Sequence, residues 1–185
     1  FQYPFYKDEI LPIGNLREDK SSAKRADIIV VTKCPDNLSQ KDKQLFLTSL
    51  NPLEKQKVFF SSLTYLQKIK SESEEIDIDV LKDDNFILVT GIADSSYLVN
   101  FLKLKGLDFK HLKYSDHYNF KKSSVDKISE LSLNKKILTT EKDFGRLSPK
   151  VKNRDIFYIE VGLRFPKEIN DLDFNTYIEE YINKD

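Results

Sequence analysis

Short, unbroken apolar runs recur along this chain, and between them lie segments with helical spacing. Residues 27–34 (DIIVVTKC), 57–65 (KVFFSSLTY), 86–92 (FILVTGI), 136–140 (KILTT) and 156–161 (IFYIEV) are rich in β-branched and aromatic side chains, with 109–114 a weaker member. Such runs read as strands. Because they are continuous rather than alternating, both faces must be covered, as in a parallel sheet between layers of helices. The intervening segments supply the helices. Ser39 can cap one that ends near Leu50, with Leu38 as a staple and Asn51-Pro52 as the stop. Tyr97, Leu98, Phe101 and Leu102 mark one face of a helix opening near Asp94, and Gly106 sits where a left-handed C-cap belongs. Val125, Ile128 and Leu131 mark a third helix, and Phe174, Tyr177, Ile178, Tyr181 and Ile182 a fourth, capped by Asp173. The expected class is α/β: a mainly parallel sheet with helices on both faces, in three α/β/α layers.

Composition narrows the function. The 185 residues are 39% hydrophobic and 12% aromatic, which excludes a disordered, collagen-like or disulfide-scaffold chain. Thirty basic residues balance thirty acidic ones, so a dedicated nucleic-acid binder, which carries a basic excess, is not expected. The single cysteine, Cys34, fits a reducing compartment. No apolar run approaches the roughly 20 residues that span a bilayer. Residues 71–84 (SESEEIDIDVLKDD) hold seven acids and one lysine, and are expected to form an exposed connector between two halves. The chain opens at Phe1 and contains no Met, so it is expected to be a piece of a longer protein.

Three clusters can carry chemistry. Asp116-His117 follows the 109–114 run and precedes a helix, which places it in a βα loop, where α/β sheets bind ligands. A histidine there can share a proton with a carboxylate that activates a hydroxyl; the alternative is a surface turn histidine. Thr139-Thr140-Glu141-Lys142-Asp143 runs from a buried strand into acid, base, acid. As a loop it can hold a phosphate through Lys142 and backbone N–H groups, or orient other side chains through Glu141 and Asp143; the alternative is a self-paired charged turn. In residues 11–18 (LPIGNLRE), Arg17 can clamp a phosphate and Glu18 can serve magnesium directly or through water; the alternative is a solvated helix start. Thr32-Lys33-Cys34-Pro35 is similar to a guanine-reading element but has Pro35 in place of the required Asp. Gly91-Ile92-Ala93-Asp94 ends a strand where free N–H groups can meet an anion. The sequence shows no Walker A, G-x-G-x-x-G, HExxH, G-x-S-x-G or zinc-type cluster.

Taken in order, LPIGNLRE, KRADIIVVTKCP, VFFSSLTY, LVTGIADSSYL, YSDHYNF and LTTEKDFGRL resemble the tetraacyldisaccharide 4'-kinase family of lipid A biosynthesis, with Bacteroidetes-like wording, over about residues 5–165. The resemblance implies an ATP- and Mg2+-dependent kinase. It phosphorylates the 4'-hydroxyl of tetraacyldisaccharide 1-phosphate at the cytoplasmic face of the bacterial inner membrane. It implies two lobes, with residues 1–35 as the end of the nucleotide-binding lobe or a hinge and residues 36–185 as the C-terminal lobe. The family's P-loop, GDEP and DDGFQHR elements belong upstream, as would a membrane anchor, so these residues alone are expected not to turn over ATP. Position by position, His117 matches the histidine that partners an upstream catalytic aspartate, and Asp116 precedes it in the same motif. Arg17 and Glu18 match the pair beside nucleotide and metal, Lys33 lies at the base-site strand end, and Thr139, Thr140, Glu141, Lys142 and Asp143 match a site-organising cluster. The chain departs from the family pattern at Asp19, at Asp94-Ser95 and at Phe144-Gly145. Apart from the resemblance, a doubly wound nucleotide-sugar or glycosyl-transfer enzyme and a non-catalytic interaction domain fit the same α/β pattern.

Overall fold

The computed structural model describes residues 1, 3–152, 155–166 and 173–183. Its contacts divide the chain into two units, one formed by Phe1–Thr64 with Leu163–Asp185 and the other by Tyr65–Gly162. The boundary expected after residue 35 is not one these contacts draw, because residues 36–64 group with the N-terminal segment.

Most of a six-stranded sheet lies in the second unit. Its strands are β3 (Ser62–Lys70), β4 (Glu75–Asp77), β5 (Phe86–Thr90), β6 (Phe109–Lys113), β7 (Ile137–Thr140) and β8 (Ile156–Arg164), in the order β4-β3-β8-β7-β5-β6. Strand β5 runs parallel to β6 and β7, and β7 parallel to β8, while β4 pairs antiparallel with β3. The connecting helices are α2 (Ser96–Leu104), α3 (Lys122–Leu131) and α4 (Glu141–Leu147). All five residues of β5 are buried. Their alternation shows why the runs are continuous: Phe86 and Leu88 pack with Leu98 and Leu102 of α2, whereas Ile87 and Val89 pack with Ile128 of α3 and Leu147 of α4. Helices therefore cover both faces, and the α/β/α reading holds. From β5 the chain crosses through α2 to β6 on one side, then returns through α3 to β7 on the other. The order reverses between β5 and β7, which makes the ends of these strands the switch point of a doubly wound sheet.

The acidic stretch is not an exposed connector. Residues 75–77 form the edge strand β4, where Glu75 pairs with Lys68 at 2.7 Å, and Ile78–Leu81 forms a 3-10 turn that buries Ile78 and Leu81 completely. Two apolar side chains in the core outweigh the charge of their neighbours, which point outward. Ile78→Val is expected to lower stability by about 1 kcal/mol, as one methylene lost from a packed core does. A urea melt of the chain checks this; an exposed connector would show no change.

In the first unit, β1 (Ile28–Val31) and β2 (Lys57–Phe60) form a parallel pair, with helices α1 (Gln40–Leu50) and α5 (Phe174–Ile182). Ser39 caps α1 by accepting the Asp42 N–H at 3.1 Å, and Asp173 caps α5 through the Thr176 N–H. The run at 57–65 is two strands rather than one, because Ser61 breaks it between β2 and β3.

Candidate functional site

The ends of β5, β6 and β7 carry the loops in which sequence placed the chemistry. Asp116 and His117 lie in the loop between β6 and α3, as expected. Both side chains are solvent-facing, His117 at 69% and Asp116 at 45% exposure, with Nε2 3.9 Å from Oδ2. The backbone of His117 is unusual. Its φ of 54° lies in the left-handed region, which few non-glycine residues adopt. Its N–H donates to the Gly91 carbonyl at 3.0 Å and to Asp116 Oδ1 at 3.0 Å.

The N–H of Gly91 does not stand open to an anion. It donates to Asp143 Oδ2 at 2.7 Å, so the chain's own carboxylate occupies the position at the switch point. Glycine suits this approach: a Cβ at residue 91 would lie a tight 3.0 Å from Asp143 Oδ1 and 3.4 Å from Tyr118 Cβ.

Residues 139–143 are correspondingly not a loop. Thr140 is the N-cap of α4, with Oγ1 accepting the Asp143 N–H at 3.2 Å and donating to Asp143 Oδ2 at 2.9 Å. Thr139 Oγ1 donates across the sheet to the Val89 carbonyl at 2.8 Å. Thr139, Thr140 and Asp143 are buried and satisfied within the fold, while Glu141 and Lys142 are the exposed members. Arg146, which sequence reasoning passed over, donates to Asp143 Oδ1 at 2.5 Å and reaches the Tyr118 carbonyl at 3.5 Å. The pattern Thr-x-x-Asp followed three residues later by Arg was the available signal: a capping motif whose acid sits one turn from a base.

Two neighbours set the local charge. The hydroxyl and N–H of Ser96 hold the Asp94 carboxyl below the usual carboxylate range. His111, half-buried on β6, lies 2.8 Å from Thr90 Oγ1, and burial together with the charge of Lys113 pushes its pKa below that of a free imidazole. An unfolded chain thus takes up this proton more readily than the folded one. Stability from this residue is full above the unfolded value of about 6.5 and is lost as pH falls toward the folded one. Urea midpoints should drop more steeply between pH 7 and about pH 5 in the wild type than in His111→Gln; equal slopes would contradict this.

Arg17, Glu18 and Lys33 belong to the first unit. All three are exposed, Glu18 is ion-paired with Arg25 at 2.6 Å, and Lys33 has a left-handed φ of 56°. The loop before them is stiffened by Asp8, which accepts from the Glu9 and Asn15 N–H groups and from Asn15 Nδ2. Among the described residues, no three His, Cys, Asp or Glu side chains gather as a metal cage. Glu18 offers one carboxylate, which suits a magnesium ion held chiefly by water and nucleotide phosphates.

Fold and site together define a class: a doubly wound α/β unit that presents a constrained histidine at the switch-point end of its sheet. The family is given by the sequence as a whole. Residues 1–180 match the family described as tetraacyldisaccharide-1-P 4'-kinase (LpxK), and the chain belongs to it. It is 36% identical over 182 residues to the tetraacyldisaccharide 4'-kinase of Flavobacterium psychrophilum and 32% identical over 177 residues to that of Flavobacterium johnsoniae. Each match covers 96% of this chain and 51% of the relative, so the chain spans about half the length of the curated relatives it matches. The fold is similar to that of LpxK from Aquifex aeolicus, crystallised with ATP, with a TM-score of 0.61 at 21% identity over 96% of this chain and 48% of that one.

Proposed function

We propose that the complete protein containing this chain transfers the γ-phosphate of ATP to the 4'-hydroxyl of tetraacyldisaccharide 1-phosphate. The observation that supports this most is the Asp116-His117 pair, which the resemblance assigns to the chemistry and whose His117 N–H is tied to the Gly91 carbonyl beside the switch point. In the reaction the 4'-oxygen bonds to the γ-phosphorus, the bond from that phosphorus to the β,γ-bridging oxygen breaks, and ADP leaves. The hydroxyl proton must go to a base. Following the family resemblance, that base is an upstream aspartate, and His117 shares and orients its proton. Positioning and charge stabilisation supply most of the acceleration in phosphoryl transfer, which suits a rigid backbone around an exposed imidazole. Arg17 and Lys33 supply positive charge toward the nucleotide. Magnesium dependence is a property of the bound nucleotide in this reading, with Glu18 at most one ligand or a holder of its water. The lipid acceptor places the work at the cytoplasmic face of the bacterial inner membrane. Among the described residues, no helix is long and apolar enough to cross a membrane.

Mass spectrometry of the complete protein incubated with ATP, Mg2+ and the acceptor tests the proposal. The expected product is the acceptor heavier by one phosphoryl group, formed only when ATP and Mg2+ are both present. Unchanged acceptor, or a glycosylated product formed from a sugar nucleotide, would overturn it.

A further inference from the structure

The geometry points to Asp143 as the positioning residue for His117, acting through Gly91 and Arg146; the inference rests on the kinase reading for its activity test only. Asp143 does not touch the imidazole. It closes a ring of contacts with the backbone of His117 and Tyr118. Asp143 Oδ2 accepts the Gly91 N–H at 2.7 Å, the Gly91 carbonyl accepts the His117 N–H at 3.0 Å, and Arg146 bridges the Tyr118 carbonyl at 3.5 Å back to Asp143 Oδ1 at 2.5 Å. The residue forced into the left-handed region and the residue after it are therefore both tied to one carboxylate.

Three observations single this carboxylate out. Among the described residues, Asp143 is the sole charged side chain that is buried, at 0% exposure. Burying a charge is costly unless it is paired, and here both oxygens are engaged, by a backbone N–H, a hydroxyl and a guanidinium. A neutral apolar contact would join β5 to α4 at lower cost, but it could not fix the direction of the Gly91 peptide. Finally, any side chain at residue 91 would crowd Asp143 Oδ1 at 3.0 Å, so the glycine suits the bond that its N–H makes. A peptide held in one orientation presents its carbonyl in one direction, and the His117 N–H follows it.

The test uses the complete protein with Asp143→Asn and Gly91→Ala. The second variant keeps every hydrogen-bonding group and adds a Cβ 3.0 Å from Asp143 Oδ1, 3.4 Å from Tyr118 Cβ and 3.5 Å from the Ser115 carbonyl. Both are expected to lower kcat by about 10–100-fold, as a small misplacement of a catalytic group does, with the KM for ATP little changed. In both, the His117 amide should exchange with solvent about tenfold faster or more, the loss expected when a protecting hydrogen bond is loosened, while Leu88 and Val89 in β5 stay protected. A structural role alone would speed exchange throughout the sheet and leave kcat per folded molecule unchanged. A folded variant with wild-type kcat, or with unchanged His117 protection, overturns the inference. Should Asp143→Asn fail to fold, Asp143→Glu, which keeps the charge and moves the carboxylate by one methylene, takes its place and is read in the same way. If the wild-type protein transfers no phosphate, the kinase reading falls, and amide exchange still decides whether Asp143 positions His117.

Discussion

His117→Ala in the complete protein should lower the kcat of phosphoryl transfer by about 10²–10⁴-fold, the range that a general acid–base group contributes. ATP affinity should stay close to wild type, because in this reading His117 serves the proton of the acceptor hydroxyl and not the nucleotide. Stability should change by no more than about 0.5 kcal/mol, since no core contact is removed. Steady-state kinetics together with nucleotide titration separates the outcomes. A drop in kcat alone assigns His117 to the chemistry. Matching losses in kcat and nucleotide binding would mean that the variant has lost its fold, and an unchanged kcat would remove His117 from the mechanism.

The largest effect on stability is expected at Arg146. Replacing it by Met keeps much of its length but leaves the Asp143 carboxylate buried without its cation. Removing one partner of a buried pair costs about 3–5 kcal/mol, and the low end applies here because the guanidinium is 29% exposed and water can reach its place. The cost should be conditional on the charge. In an Asp143→Asn background, Arg146→Met should cost under about 1 kcal/mol, so that a double-mutant cycle by urea denaturation shows strong coupling. Additive losses would mean that the pair is incidental and that Arg146 acts through packing.

The sequence announced elements whose signal is local. Strands β5 and β7 are buried throughout and β8 over most of its first half, so they read as continuous apolar runs, and the caps at Ser39, Asp173 and Gly106 lie within a turn of the groups they satisfy. Strand β4 was hidden because its charge dominates its composition, while the alternation of Ile76, Ile78 and Leu81 carries the burial. The second half of β3 was hidden by its lysines, two of which serve as partners for Glu75. Helix α4 was read as a loop because it has seven residues with Gly145 among them, too few for periodicity to register.

The site divides along the same line. The placement of His117 in a βα loop was legible from the strand before it and the helix after it. The bond from Gly91 to Asp143 spans 52 residues, and no local pattern announces it. Gly91 therefore looked like an open anion site, and residues 139–143 looked like a phosphate loop. The Gly91 N–H and the Asp143 carboxylate that sequence left free are consumed by one another, while Glu141 and Lys142 stay exposed. Of the cluster that the resemblance described as site-organising, Thr139 and Thr140 make their contacts within the fold, and Asp143 is tied through Gly91 and Arg146 to the backbone around His117.

The product of the reaction tests the central claim most directly. The complete protein is incubated with ATP, Mg2+ and tetraacyldisaccharide 1-phosphate, and the lipid is examined by phosphorus–proton correlation NMR. The account predicts a new phosphomonoester coupled to the proton on the 4' carbon, absent when His117 is replaced by alanine. A phosphate on any other hydroxyl, or no new phosphomonoester from a folded, nucleotide-binding protein, would contradict it.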